Sequence, residues 1–181
     1  MILIGSFFKS DIKVVIIGET HSGKSTLSGR LLNECDEIES EEKSKIIEKM
    51  QEKGHSNFQY SWITDNSQNE RDSGHTTSLS IRPLETIRSS MTLIDTPGYS
   101  HKDKEYKKNI NMITGVSLAD CAILVVSAIP DNFEKGIEDT QQIREHAIIS
   151  HKMGLENIII VVNKLDATAP PYSKNQRPKV F

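Results

Sequence analysis

Residues 18–25 read Gly-Glu-Thr-His-Ser-Gly-Lys-Ser, a GxxxxGK[ST] run set between the apolar segment 13–17 (KVVII) and an amphipathic stretch from 25 to 35. Few local patterns constrain a chain more. Gly18 and Gly23 let the backbone wrap closely around phosphate oxygens, presenting N–H groups and a helix N-terminus to the anion. Glu19, Thr20, His21 and Ser22 contribute mostly backbone to such a loop. Lys24 reaches the β- and γ-phosphates, and the Ser25 hydroxyl supplies a magnesium ligand, with Thr26 beside it at the start of the helix. A strand that ends in such a loop and runs into a helix belongs to an open sheet with helices packed on it.

The remaining pattern agrees. Segments 91–94 (MTLI), 121–126 (CAILVV) and 158–162 (IIIVV) are short, continuous apolar runs, as expected of strands buried on both faces of a parallel sheet. Segment 77–84 alternates, which places Leu79 and Ile81 on one face. Between the runs lie helical patterns. Residues 25–35 carry Leu27, Leu31, Leu32 and Cys35 on one side, with Gly29 as a weak point. Residues 40–53 carry Ile46, Ile47 and Met50 and stop at Gly54. Residues 139–153 carry Ile143, Ala147, Ile148 and Met153 and stop at Gly154. Residues 66–74 are polar without periodicity and read as a mobile loop. The expected fold is therefore a three-layer α/β domain with a mostly parallel sheet. A chain of 181 residues with 36% hydrophobic and 26% charged residues is about one domain that can bury its own core.

Two further motifs sit at strand ends. Asp95-Thr96-Pro97-Gly98 follows the MTLI run. An Asp there points into the ligand crevice, where it can hold magnesium through water while the Gly98 amide faces a γ-phosphate. Asn163-Lys164-Leu165-Asp166 follows the IIIVV run. A carboxylate accepts two parallel hydrogen bonds, matching the guanine N1–H and 2-amino donors, and adenine lacks that pair. Taken alone, this last motif reads as a polar strand cap; in order after the other two it points to guanine recognition.

The assembled residues resemble the GTP-binding domain of translational GTPases, and are most similar to eukaryotic and archaeal elongation factor 1-alpha. The resemblance runs from about residue 11 to about residue 175. Beyond the motifs it is carried by FQYSWITD (58–65), NERDSGHTTSLS (69–80), NMITGVSLADCAILVVSA (111–128), REHAIISHKMG (144–154) and VVNKLDATAPPYS (161–173). It implies a P-loop GTPase fold, GTP or GDP with Mg2+ as ligands, and Thr76 as the switch I threonine that closes on the metal and the γ-phosphate. It implies catalytic roles for Lys24 and Thr76, and it makes the ribosome, aminoacyl-tRNA and a nucleotide-exchange factor partners of the family.

Several departures accompany the resemblance. The family's GHVDSGKS has Glu19, Thr20 and His21 in place of HVD, and its GIT is Gly74-His75-Thr76 here. The histidine that follows the DxPG glycine and positions water in the family is Tyr99. His101-Lys102-Asp103 resembles the family's HRD moved two residues on, with about four residues inserted before Asn111. Tyr99 and His101 are the candidates for the water-positioning role. The chain continues for 15 residues after Asp166 (181 − 166), so the expected organisation is an extension over 1–10, a GTP-binding unit over 11–166 and a tail over 167–181. The family's last strand and helix and its β-barrel domains are expected to be absent.

Charge and cysteine content exclude other classes. Lys plus Arg total 22 against 25 Asp plus Glu, a formal charge of −3, which lacks the basic excess of a non-specific nucleic-acid binder. Cys35 and Cys121 are far apart, so neither a disulfide framework nor a zinc site is expected. The first ten residues do not read as a signal peptide and no run is long enough to span a membrane, giving a cytoplasmic expectation without membrane partners. His146 and His151 are five apart, unsuited to shared metal ligation, and Tyr60 and Trp62 read as packing aromatics. Three functions stay open: slow magnesium-dependent GTP hydrolysis, a GTP/GDP-binding switch without significant turnover, and an ATP-using P-loop enzyme, against which the NKLD motif argues.

Overall fold

The computed structural model describes residues 11–54, 59–65, 67–86, 89–98, 106–129 and 136–172. Strand β1 (Asp11–Gly18) lies at the centre of a five-stranded sheet. It pairs in parallel with β3 (Ser90–Asp95) on one side and β4 (Cys121–Ser127) on the other. Strand β5 (Ile158–Asn163) continues in parallel beyond β4, and β2 (Ser80–Glu85) pairs antiparallel with β3, giving the order β2-β3-β1-β4-β5.

The alternation along β1 divides the core. Val14 and Ile16 face a layer made of α1 (Lys24–Glu34), α2 (Ser40–Glu52) and the 3-10 turn Tyr60–Ile63, where Leu32, Ile46, Met50, Trp62 and Ile63 are buried. Val15 and Ile17 face α4 (Tyr106–Ser117) and α5 (Gly136–Lys152), which bury Met112, Val116 and Ile143. These are the three layers expected, with Trp62 packed in the core. Among the described residues no helix is long and apolar enough to cross a membrane.

The edges depart from expectation. Strand β5 is not buried on both faces: Ile159 is 58% exposed, because β5 is the last strand on its side of the sheet among the described residues. On β2, Ser80 and Leu84 point inward and Ile81 is 51% exposed; the antiparallel register with β3, not the apolar spacing, sets which face is covered. Ile47, Ile148 and Met153 are exposed as well. The inner face of α5 is formed by Ile143 with the fully buried His146 and Ser150.

The largest correction concerns the segment read as a mobile loop. Residues Gln68–Ser73 form a helix, α3. Ser67 caps it by accepting from the Glu70 N–H, the Glu70 side chain accepts from the Ser67 N–H in return, and Gly74 closes it in the left-handed conformation. This is a reciprocal capping box. Its S-x-x-E signature was present as Ser67-Gln68-Asn69-Glu70, but lacks the apolar run that would mark a helix by periodicity.

Candidate nucleotide and metal site

Sheet register brings distant motifs to one edge. Ile16 pairs with Asp95, Gly18 with Val125 and Ser127 with Asn163, so the carboxyl ends of β3, β1, β4 and β5 lie in that order along one end of the sheet. Gly18 leaves β1 at φ 145°, and any side chain there would run into the Val125 carbonyl. The chain then returns through Gly23 to begin α1. That helix has no side-chain cap and no acid in its first turn, so neither a cap nor a first-turn carboxylate takes up its N-terminal N–H groups. Lys24 arches back over the loop and donates to the Glu19 carbonyl at 2.7 Å.

A cavity of about 250 Å3 opens at this edge. The loop contributes Thr20, His21, Gly23, Lys24, Ser25 and Thr26; Gly74, His75, Thr76, Gly98 and Lys164 face it from the other segments. The Ser25 and Thr76 hydroxyls meet at 2.8 Å although 51 residues separate them. Thr76 Oγ1 also donates to Asp65 Oδ1 at 3.2 Å. Asp95 is buried; its Oδ1 accepts from Ser28 Oγ at 3.1 Å, and its Oδ2 has no hydrogen-bond partner. Converging hydroxyls beside an orphaned carboxylate oxygen suit a hard cation that keeps part of its water shell.

The electrostatics have the same character. Burial lowers the Lys24 pKa to about 8, against the opposing pull of Asp95 and Glu19. A buried ammonium in that condition is stabilised by a polyphosphate. Burial raises Asp95, opposed by the neighbouring Ser25 hydroxyl and the Lys24 charge. Burial also raises Asp65 to about 6, opposed by its hydrogen bond from Thr76, with the Asp95 charge adding to the rise. A divalent cation between these carboxylates would relieve both.

The model of the elongation factor Tu GTP-binding domain matches residues 9–180. The chain belongs to that family. This elongation factor Tu-type domain shares its fold with a solved GTPase-like domain and a solved translation elongation factor. The S. cerevisiae Ski7 GTPase-like domain bound to GTP is 26% identical, with a TM-score of 0.69 over 97% of this chain and 39% of that one. The same domain bound to GDP and inorganic phosphate superposes with a TM-score of 0.70 at 24% identity, over 93% and 37% of the two chains. Translation elongation factor SelB from Methanococcus maripaludis, in complex with the GTP analogue GPPNHP, is 17% identical, with a TM-score of 0.57 over 95% and 25%. The chain thus spans well under half the length of each of these neighbours.

Within this elongation factor Tu-type domain the candidate residues are not all placed alike. Asn163 is drawn to the phosphate loop, its Nδ2 donating to the Ser22 carbonyl at 3.0 Å. Lys164 adopts φ 61° and lines the cavity. Asp166 lies on the 3-10 turn Leu165–Ala167, exposed and outside the cavity lining. Gly98 packs against Thr20, whose Cα would lie 2.6 Å from an added Cβ. Tyr99 and His101 lie outside the described residues. His21 and His75, two of the departures from the family pattern, meet across the cavity with ring centroids 4.6 Å apart. Sequence reasoning missed Asp65, which ends the FQYSWITD stretch and faces Thr76, and Glu70, whose capping-box spacing was the available signal.

Proposed function

We propose that this chain is the nucleotide-binding domain of a protein of the elongation factor 1-alpha type, with residues 11–166 as a magnesium-dependent GTP- and GDP-binding unit and 1–10 and 167–181 flanking it. The observation that carries the reading is the convergence of Lys24, Ser25 and Thr76 on one cavity beside the buried Asp95. In this reading the backbone of Gly18–Ser25, with Thr26, cradles the phosphates. Lys24 neutralises the β- and γ-phosphates, the Gly98 amide faces the γ-phosphate, and Asn163, Lys164 and Asp166 hold guanine. Ser25 and Thr76 would ligate magnesium and Asp95 would hold its water; the metal, when bound, supplies charge neutralisation. The GTP-bound Ski7 domain supports the choice of guanine nucleotide. Calorimetric titration with GTP, GDP and ATP tests it, and ATP binding as tightly as GTP would return the chain to the ATP-using class.

Ser25→Ala separates metal ligation from folding. It is expected to weaken GTP binding about tenfold in magnesium, the lower range for lost support of a metal ion, and to change little in EDTA. Equal losses in both buffers would argue that the serine serves the fold and not the metal.

Hydrolysis is proposed to be slow. Phosphoryl transfer asks the protein to position water and to stabilise charge on the transferring group. Lys24, Thr76 and the Gly98 amide serve the second need. For the first, Tyr99 stands where the family has histidine, and a phenol with a pKa near about 10 is a poor proton acceptor at neutral pH. Intrinsic turnover is expected at or below about 10⁻⁴ per second. The His21–His75 contact favours the second reading, a switch without turnover, because it fills positions where the family has a carboxylate and an apolar residue. The ribosome, aminoacyl-tRNA and an exchange factor are the proposed partners, and a cytoplasmic location goes with them. Ribosome-stimulated turnover that collapses in His101→Ala but not in Tyr99→Phe would make His101 the water-positioning residue. No stimulation in either background would establish the silent switch.

A further inference from the structure

Glu70 is the most heavily hydrogen-bonded carboxylate among the described residues, and nothing in the proposed chemistry uses it. It is 1% exposed. Its Oε1 accepts from the Thr77 N–H at 2.8 Å, the Thr77 hydroxyl at 3.0 Å, the Ser78 N–H at 2.9 Å and the Ser78 hydroxyl at 2.7 Å. Its Oε2 accepts from the Ser67 N–H at 2.9 Å and the Ser67 hydroxyl at 3.1 Å. Its backbone carbonyl accepts from the Gly74 N–H at 2.8 Å. One residue therefore holds the start of α3, the entry to the loop 74–78 and the exit from it.

Thr76 stands inside that bracket. A helix of six residues has no stability of its own, so the position of this loop is set by what holds its ends. Burial alone pushes the Glu70 carboxyl upward, but the donors of Thr77, Ser78 and Ser67 outweigh it and leave the group at about 2. Hydrogen bonds to an ionised acceptor are about twice as strong as neutral ones. Three further ties act outside the carboxylate: Thr76 Oγ1 donates to Asp65 Oδ1 at 3.2 Å, Arg71 donates to the Trp62 carbonyl at 3.0 Å, and Asn111 donates to the Thr77 carbonyl at 2.8 Å. The first holds Thr76 itself and the other two hold the flanks, while among the described residues Glu70 joins the two ends of the bracket.

We infer that Glu70 is a positioning residue of this site, holding the loop 74–78 so that the Thr76 hydroxyl stands over Ser25 without itself touching nucleotide or metal. The inference rests on the reading of Ser25 and Thr76 as magnesium ligands. It makes the affinity for triphosphate depend on a side chain that a list of contacts to the ligand would omit.

The test compares the full chain with Glu70→Gln, which keeps the shape but turns an amide NH2 toward N–H and O–H donors. Hydrogen exchange across residues 67–78, measured without nucleotide, is expected to accelerate. Binding of a non-hydrolysable GTP analogue in magnesium is expected to fall about 10- to 100-fold, with GDP binding in EDTA retained. Combined with Thr76→Ala, Glu70→Gln should add no further loss beyond Thr76→Ala alone. Unchanged exchange, equal loss of both nucleotides, or multiplying losses in the double variant would overturn the inference. If Glu70→Gln does not fold, Glu70→Asp, which keeps the charge and withdraws it by one methylene, must show the same pattern at smaller amplitude. A wild-type chain that binds no guanine nucleotide, with exchange still accelerated by Glu70→Gln, would overturn the proposed function and leave the hold of Glu70 on the loop standing.

Discussion

Asp166→Ala is expected to lower GTP affinity by more than about 2 kcal/mol, roughly 30-fold, while ATP affinity stays where it was. The loss follows from the guanine edge. Its N1–H and 2-amino group are donors side by side, and only a carboxylate accepts both at once. Removing the acceptor leaves both donors without the one partner that accepts them together. The geometry brings the motif within reach of the phosphate loop, since Asn163 is bonded to Ser22 and Lys164 turns the chain through φ 61° into the 3-10 turn that carries Asp166. Asp166 itself is exposed, so its alanine variant should fold normally and report on binding alone. A calorimetric titration in which GTP binds the variant as tightly as the parent would sink the guanine assignment and leave a phosphate site without base selectivity.

Gly29→Val is expected to destabilise the domain by about 3 kcal/mol, at the upper end for overpacking a tight contact. For a chain of this size that corresponds to a fall in melting temperature of about 6–12 °C. Gly29 lies on the inner face of α1, where an added Cβ would collide with the Tyr60 carbonyl. The neighbouring 3-10 turn carries Trp62 and Ile63 into the same core as Leu32. Backbone cannot yield there as a flexible side chain would, so α1 and the turn must separate and open the core. Gly29→Ala should be milder, because alanine returns about 1 kcal/mol of helix propensity. A valine variant melting within 2 °C of the parent would show that the helix and the turn are not in rigid contact.

Gly29 also shows where sequence reading fails. By propensity it is a defect in a helix, and in the structure it is what lets another segment approach. The same reversal occurs at 66–74. A polar stretch without periodicity reads as loop, yet Ser67 and Glu70 cap each other and Glu70 reaches the segment beyond Gly74. Ile81 and Ile159 are apolar and exposed because they belong to the two outer strands of the sheet. Apolar spacing cannot say which strand ends up outside.

What the sequence determined by itself is local. KVVII followed by Gly18 to Ser25 specifies a strand, a phosphate-sized backbone turn and a helix start, because glycine freedom, β-branched stiffness and helix-end polarity act over a few residues. The strands that end in Asp95 and Asn163 were legible for the same reason. What only the tertiary structure decided is which of these local pieces meet. The Ser25–Thr76 contact joins residues 51 apart, and the His21–His75 and Glu70–Ser78 contacts likewise cross between segments. Such contacts depend on how the layers pack and on the register of the sheet, and side-chain chemistry at one position carries no record of the distant position it will face.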